Sequence, residues 1–247
     1  TAFFGGTQDN ATNYGGVATG ANWATILGGD GGFSAYSAAR KTIYASHFQI
    51  SIKRSVNGAP FVGSTTGITD SGIFVAPFSL HPSGQQTVMW TGGKKMWQSK
   101  NGGTSWASWG PNFNATQPVV SAIGLAASST NVVYAGSWDG SIWTNNKAQT
   151  AKTWVKRALQ PGAWVSSIAV NPQNPLVAFA TFSTFGAIHV AYTGDGGKNW
   201  FNSDGSGATG IPDIPALSVA IDPLNTDRIF VGTDFGVFVS LDEGLTW

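Results

Sequence analysis

Acidic, amide and aromatic side chains in the short polar segments between apolar stretches are the residues of this sequence that could bind a ligand. Aromatic rings stack on the apolar faces of sugars, while carboxylates and amides form hydrogen bonds with sugar hydroxyls. Residues with these two properties together predict carbohydrate binding. They are Gln8, Asp9, Asn10, Trp90, Trp138, Asp139, Trp164 and Phe235.

Several other chemistries lack the residues that they require. The 247 residues include no cysteine, which excludes disulfides, thiolate metal ligands and cysteine nucleophiles. The three histidines are scattered and no Gly-x-Ser-x-Gly elbow occurs, so a Ser-His-Asp triad has no support. The segment "GDGGKN" (194–199) resembles the start of a calcium loop, but the only glutamate, Glu243, is not at its twelfth position. We expect no metal and no cofactor.

The charge pattern disfavours polyanionic partners. Thirteen basic and 12 acidic residues give a net charge of +1, and no basic run is longer than a pair such as Lys94-Lys95. Such a surface does not attract nucleic acid or an anionic membrane. No apolar run approaches the roughly 18 residues of a membrane span, so we expect neither nucleic-acid binding nor membrane insertion.

The elements that must position these residues recur at a regular spacing. An eight-residue polar unit ending in tryptophan occurs as "SKNGGTSW", "TGDGGKNW" and "SLDEGLTW". Weaker copies exist, so that the five units begin at Ser55, Ser99, Thr144, Thr193 and Ser240, every 44 to 49 residues. A period in this range is typical of β-propeller blades.

Two series of short apolar segments repeat with the polar unit. One series is "TIYAS", "TVMWTGG", "NVVYAG", "LVAFAT" and "RIFVGT", and a second series of alternating segments precedes it. Each repeat therefore contains four short antiparallel strands. The sequence predicts an all-β fold, a β-propeller of four-stranded antiparallel blades, with about five to six blades in one domain spanning residues 1–247.

The blades at the two ends are predicted to be incomplete. The opening "AFFGGTQDNATNYGG" and "ANWATI" match the second, third and fourth strands of a blade, and the last unit stops at Trp247. Open blade edges expose unpaired backbone groups. We therefore expect further propeller sequence, a second subunit or self-association through these edges.

The unit Ser/Thr-x-Asp/Asn-x-Gly-x-x-Trp resembles the Asp-box, the bacterial neuraminidase repeat, and this resemblance covers the whole chain. The segments "GGTQDN", "GGDGGF" and "VGTDFGVFVSLDEGLTW" are most similar to the sortilin-like and xyloglucanase-like branch. The resemblance implies a secreted, cell-surface or periplasmic protein that binds a glycan or an extracellular protein.

The Asp-box residues are expected to be structural. An Asp or Asn side chain can accept backbone N–H bonds within the turn, glycine allows left-handed backbone, and tryptophan fills the gap between layers. The residues with these roles are Ser99, Asn101, Gly103, Trp106, Thr193, Asp195, Gly197, Trp200, Ser240, Asp242, Gly244 and Trp247.

The resemblance also leaves a catalytic alternative open. The xyloglucanase-like branch implies one catalytic Asp in "GGDGGF", which is Asp30, and another in "TDFG", which is Asp234. Such a pair would act as general acid and base on a glycosidic bond. Against it, "TDFG" lacks the second glycine of the family motif, and family members build their cleft between two propellers. A sialidase would need an arginine cluster, whereas Arg54, Arg157 and Arg228 do not share a predicted loop face.

Two hypotheses therefore remain. The first is a non-catalytic propeller that binds glycan or protein or serves as a structural element, and the alternative is an endo-acting glycoside hydrolase. Sequons at Asn10 and Asn114 allow glycosylation in a eukaryotic secretory pathway.

Overall fold

The structure of the protein, a computed structural model, describes residues 2–16, 20–82, 84, 86–113 and 120–247. Within these ranges the regular structure consists of β-strands and one 3-10 turn, Gly207–Thr209. The second sequon, at Asn114, lies outside the described residues. The described helical structure is too short to cross a membrane.

In the part of the chain that the structure describes, 22 strands form six antiparallel sheets, which we name A to F in chain order. Sheet A contains β1 (Ala2–Gly6), β2 (Thr12–Gly16) and β3 (Gly20–Leu27). Sheet B contains β4 (Ser34–Ser37), β5 (Thr42–Ser46), β6 (Ile52–Val56) and β7 (Val62–Gly63). Sheet C contains β8 (Phe78–Leu80), β9 (Met89–Gly92), β10 (Lys95–Ser99) and β11 (Ala107–Asn112).

The remaining sheets follow the same order of strands. Sheet D contains β12 (Val120–Ala126), β13 (Ser129–Ser137), β14 (Ser141–Asn145) and β15 (Val155–Ala158). Sheet E contains β16 (Trp164–Val170), β17 (Ala178–Ser183), β18 (Val190–Thr193) and β19 (Phe201–Asn202). Sheet F contains β20 (Ala216–Ile221), β21 (Ile229–Thr233) and β22 (Gly236–Ser240).

Four sheets thus have four strands and two have three, and in each sheet every strand pairs with the next along the chain. This pattern agrees with the strand order predicted for each repeat. The chain divides into two compact units, Thr1–Val119 with sheets A to C and Val120–Trp247 with sheets D to F. The prediction of one domain stays a prediction.

Apolar side chains from facing sheets form the cores. One cluster joins sheets B and C through residues such as Tyr44, Met89 and Trp106. In the second unit, one cluster joins sheets D and E, and another joins sheets E and F. In sheet E, β17 contributes to both of these clusters: Ala178, Ala180 and Phe182 pack in the first and Phe179 in the second, because successive side chains of a strand point to opposite faces.

The three complete copies of the polar unit form the same turn. In the first, the hydroxyl of Ser99 donates to Asn101 Oδ1 at 2.9 Å and accepts the N–H of Gly103 at 2.9 Å. Asn101 Oδ1 also accepts the N–H of Ser105 at 3.0 Å. The copies that begin at Thr193 and Ser240 repeat these bonds. The first and third residues of the unit therefore hold the turn by hydrogen bonds within it.

The glycine at the fifth position of each turn packs against the preceding sheet. Gly103 has φ 72°, and a Cβ built on it would lie 2.4 Å from Ser64 Oγ and 3.5 Å from the ring of Tyr44. Gly197 stands in the same way against Tyr134, and Gly244 against Phe179. Only glycine fits such a position, because a side chain would meet both left-handed strain and a steric clash.

The tryptophan that ends each turn completes this contact. Trp106 Nε1 donates to the carbonyl of Ser64 at 2.7 Å, and Trp247 Nε1 donates to the carbonyl of Ser203 at 2.8 Å. Trp200 instead sets its ring edge-on against Tyr134, with 6.1 Å between ring centroids. Each complete polar unit therefore joins its own sheet to the preceding one.

Serine hydroxyls form a second link between sheets in the second unit. Ser121 Oγ donates to the carbonyl of Val165 at 2.7 Å, and Ser166 Oγ donates to the carbonyl of Ala216 at 2.6 Å. Both serines lie where the register of a first strand shifts by one residue. Such a bulge turns the extra residue away from its ladder, so that it can bond to the next sheet.

We predict that Gly103→Ala destabilises the protein by about 2–5 kcal/mol. The variant combines left-handed strain, about 1–2 kcal/mol, with overpacking, about 1–3 kcal/mol. Gly58→Ala is the matched control, because Gly58 has φ 77° but open space around its Cβ position. Urea unfolding should show a clearly smaller loss for the control, and equal losses would contradict the packing argument.

The carboxylates of the polar units also predict an acid dependence of stability. Hydrogen bonds from Thr246 and Ser240 lower the pKa of Asp242 to about 2, and a bond from the backbone of Asn199 lowers the pKa of Asp195. An unfolded Asp titrates near pH 4, so the unfolded chain binds more protons than the native protein between about pH 4 and pH 2. The stabilisation is present above this window and is lost as the pH falls through it.

We therefore expect Asp242→Asn to flatten the fall of the free energy of unfolding between about pH 4 and pH 2. Asn101→Asp should steepen it, because the first unit carries the neutral amide at the same place. Urea unfolding measured from pH 2 to pH 7 tests both changes. Identical slopes for the two variants and the unmodified chain would show that these side chains do not control the acid transition.

Candidate functional site

Loops at one end of sheets A, B and C form the candidate site of the first unit. We call this set the loop end, and it comprises residues 7–11, 28–33, 47–51, 64–77 and 93–94. They include the turns between successive inner strands and the connections from one sheet to the next. The predicted ligand-binding residues Gln8, Asp9 and Asn10 lie in these loops.

Backbone hydrogen bonds tie these loops together. Ala11 N donates to the carbonyl of Gly29 at 2.9 Å, and Gly31 N donates to the carbonyl of Thr7 at 3.0 Å. The next loops are joined by the bond from Gly32 N to the carbonyl of Ser46. The loop end of the first unit is therefore a connected surface.

Three exposed phenylalanines lie on this surface. Phe33, Phe48 and Phe74 are 42%, 52% and 52% exposed. Their loops are neighbours, because Ser46 N donates to the carbonyl of Phe33 at 2.9 Å and Gln49 N donates to the carbonyl of Phe74 at 2.6 Å. None of the three was among the predicted ligand-binding residues. A sequence signal existed, since all three stand in segments between strands, but it does not show which loop aromatics remain exposed.

Asp30 lies in the same loop as Phe33 and bonds to a neighbouring loop. Its Oδ1 accepts the backbone N–H of Asp9 at 3.0 Å. The adjacent Gly29 packs on the imidazole of His47, with 3.6 Å from its Cβ position to Cε1. Burial and the charge of Lys53 lower the pKa of His47, while Asp30 partly offsets the shift. The geometry gives Asp30 a loop-bracing contact beside a neutral imidazole.

A second carboxyl at the loop end is partly buried. Asp70 Oδ2 accepts the backbone N–H of Lys95 at 3.1 Å. Burial raises the pKa of Asp70. A Cβ at Gly93 would lie 2.8 Å from its other oxygen, so glycine is needed for this close approach. Asp70 therefore holds the loop before β8 against the turn between β9 and β10.

Exposed aromatics also mark the corresponding end of the second unit. Trp164 at the start of β16, Phe185 and Phe235 are 37%, 65% and 88% exposed. Asp213 Oδ1 accepts the N–H of Gly186 and lies 3.3 Å from His189 Nε2. The turn between β17 and β18, which contains Gly186, is therefore held in place directly beside Phe185.

The predicted Trp138-Asp139 pair lies in the turn between β13 and β14. Asp139 accepts hydrogen bonds from Ser137 and from the N–H of Ser141, and it pairs with Lys156 at 3.3 Å. Burial alone would raise the pKa of Asp139, but these bonds and the lysine outweigh it and lower the pKa. Asp139 is therefore an ionised carboxylate that is already bonded to protein groups.

Trp90 is a correction to the predicted site. The sequence placed it in a loop, whereas the structure places it inside β9 with no exposed surface. Its position in a strand between Met89 and Thr91, both buried, prevents contact with a ligand at the surface. The prediction failed because "TVMWTGG" does not reveal where the strand ends.

The other predicted residues are accessible. Gln8, Asp9 and Asn10 are exposed in the turn between β1 and β2, where Asn10 Nδ2 donates to the carbonyl of Gln8 at 3.1 Å. Asp234 is exposed in the turn between β21 and β22, which Thr233 braces by bonding to the N–H of Phe235. Asp30 lies in the first unit and Asp234 in the second. Among the described residues, no group of three or more potential ligands could hold a metal ion.

Comparisons with known proteins show the fold. No protein-family model and no curated protein matches the sequence. The crystal structure of the GH74 xyloglucanase from Xanthomonas campestris matches with a TM-score of 0.68 and 16% identity over 99% of this chain. The crystal structure of an ancestral GH74 enzyme matches with a TM-score of 0.74 and 16% identity over 96% of this chain. The predicted β-propeller fold is thereby confirmed.

The chain spans less than half of either neighbour. It covers 43% of the xyloglucanase chain and 34% of the ancestral enzyme chain. At 16% identity the likeness shows the fold and carries no residue roles.

We predict that the imidazole of His47 titrates below its ordinary value of 6.5. Asp30→Asn should lower this pKa further, because it removes the carboxylate that favours the charged ring, and Lys53→Gln should raise it. The Cε1 resonance, assigned with His47→Gln, measures both shifts by NMR. If Asp30→Asn leaves the titration unchanged, Asp30 does not face the imidazole.

Proposed function

We propose that this protein is a secreted or cell-surface Asp-box β-propeller whose loop end binds a polysaccharide. The observation that carries the proposal is the set of three exposed rings, Phe33, Phe48 and Phe74, on neighbouring loops that are joined by backbone hydrogen bonds. Asp9 and Asn10 lie on a loop joined to the same surface and supply polar groups for hydroxyls.

Two properties of the loop end favour binding: its apolar surface is exposed to water, and its loops are held in place by hydrogen bonds. Three exposed rings leave apolar surface in water, and contiguous exposed apolar surface commonly marks a binding site. Hydrogen bonds between the loops fix the spacing of the rings before a ligand arrives, which reduces the entropy lost on binding. A polysaccharide suits several exposed rings on neighbouring loops, since its sugar rings can each stack on an aromatic side chain.

The ligand class follows from the charges of the loop end. The three phenylalanines are neutral, and the carboxyl groups of Asp9, Asp30 and Asp70 outnumber the one lysine, Lys94, which disfavours an anionic ligand. A neutral glucan of the xyloglucan class is the first candidate, because one of the fold neighbours is a xyloglucanase. An extracellular protein remains the other partner that the Asp-box resemblance implies.

A second candidate function is endo-acting hydrolysis by Asp30 and Asp234. The exposed position of Asp234 in its turn and the fold likeness to a xyloglucanase favour it. The hydrogen bond that Asp30 accepts from Asp9 gives Asp30 a structural reason to be present. The hydrolytic role of the pair is therefore the weaker of the two proposals.

We expect xyloglucan oligosaccharides to bind the protein in isothermal titration calorimetry, and Phe48→Ala or Phe74→Ala to weaken the affinity about tenfold. Loss of one stacking ring costs on the order of 1 kcal/mol beyond its buried area. Phe201→Ala is the matched control, because Phe201 is 61% exposed on β19 and belongs to none of the loops that form the loop end. Equal affinity of all variants would place the site elsewhere, and no binding of any neutral glucan would refute the proposal.

Reducing-end analysis of the same incubations separates the two candidates. Binding without new reducing ends, unchanged by Asp30→Asn and Asp234→Asn, is the expected result. New reducing ends that both substitutions abolish would establish the hydrolase instead.

A further inference from the structure

A cleft between sheets A and B is independent of the loop end. Its volume is about 770 Å³, and its walls include Phe4, Tyr14, Tyr36 and Ile43. The turns 38–41 and 57–58 form its rim, at the end of sheet B opposite to residues 47–51. Its volume falls within the roughly 300–1,000 Å³ of small-molecule sites.

The cleft occurs where the polar unit departs from its pattern. In sheet C, Gln98 pairs with Ala107, which places Trp106 beside Ser99. In sheet B, Arg54 pairs with Val62, which places Phe61 beside Ser55. The copy in sheet B therefore carries the smaller Phe61 in the position of the tryptophan.

The same copy also lacks the glycine at the fifth position. Ala59 is the fifth residue counted from Ser55, and it corresponds to Gly103, the fifth residue counted from Ser99. The hydroxyl of Ser55 donates to the carbonyl of Ala59, whereas Ser99 accepts the N–H of Gly103. The hydrogen-bond direction is reversed, so this turn does not reproduce the contact with the preceding sheet that the complete copies make.

The missing contact leaves the ring of Phe4 without the cover that equivalent rings have. Phe4 in β1 is equivalent in position to one aromatic residue in the second strand of each of sheets B, D and E. These residues are Tyr44, Tyr134 and Phe179, and their rings are at most 1% exposed. Their cover is the glycine of the next polar unit. Phe4 remains partly exposed and lines the cleft together with Gly58.

The groups on the walls define what the cleft can hold. The walls are aromatic and aliphatic, and in the complete copies an indole ring fills the space between sheets. At the rim, the ammonium of Lys41 has no ion-pair partner among the described residues. A flat aromatic ring can pack against the apolar walls, and a carboxylate attached to it can form an ion pair with Lys41.

We infer that the cleft between sheets A and B binds a small planar aromatic carboxylate, with its ring against Phe4 and Tyr36 and its carboxylate at Lys41. The site is separate from the proposed glycan site, so either can fail without the other. Nothing in this inference requires catalysis.

The test uses indole-3-acetate as the probe and 3-methylindole as its neutral counterpart, with affinities from ligand-observed NMR titration. We expect both to bind the full chain, and Lys41→Gln to weaken indole-3-acetate about threefold while leaving 3-methylindole unchanged, as for an exposed ion pair. Ala38→Trp should weaken both probes at least tenfold, because Ala38 lines the cleft and the new ring would occupy it.

Ala39→Trp is the matched control, since Ala39 is the exposed neighbour in the same turn and is not part of the wall. It should bind both probes like the unmodified chain, and thermal unfolding should show that both tryptophan variants are folded. No saturable binding of either probe, or equal binding by Ala38→Trp and the unmodified chain, would overturn the inference. Displacement of the indoles by xyloglucan oligosaccharides would overturn the ligand class by making the cleft a sugar site.

Discussion

The contact between a left-handed glycine and an aromatic ring of the preceding sheet is the constraint on which this fold depends. Gly103, Gly197 and Gly244 bring the backbone of a polar turn against Tyr44, Tyr134 and Phe179. Any side chain at these positions would clash with a neighbouring hydroxyl and hold the sheets apart. The hydrogen bonds inside each turn are needed to keep the glycine in this conformation.

This contact at one end of the sheets leaves the other end free for function. A complete polar unit joins adjacent sheets at one end, so the loops at the opposite end are not needed to hold the sheets together. They are braced instead by local hydrogen bonds, such as those of Asp30, Asp70 and Asp213. Polar loops with a rigid support can expose aromatic side chains, which is the usual division between scaffold and binding surface.

The sequence predicted the scaffold well because the scaffold repeats. The segment "TIYAS" is β5 to the residue, and the three complete polar units form the same hydrogen-bonded turn. The candidate site repeats far less, so periodicity offers little help there. Trp90 was misplaced because alternation does not mark where a strand ends, and Phe48 was missed because its exposure depends on neighbouring loops.

Hydrogen bonds between sheets were also beyond sequence reasoning. Ser121 and Ser166 look like ordinary strand residues, and their role depends on a one-residue shift of register. A shift of this kind turns a side chain from its own ladder toward the next sheet. No composition or spacing rule in a single sequence distinguishes such a serine from its neighbours.

Departures from a repeat carry information that the repeat itself does not. A propeller repeat tolerates a weak copy because each sheet contacts mainly its neighbours, so that loss at one boundary leaves the other boundaries intact. The boundary between sheets A and B gives up the buried ring that sheets B, D and E keep, and Phe4 stays in contact with water as a result. That exposure costs stability, on the order of 25 cal/mol for each Å² left uncovered. A local loss of this kind, in a chain whose complete copies keep the contact, is where a binding function is to be sought.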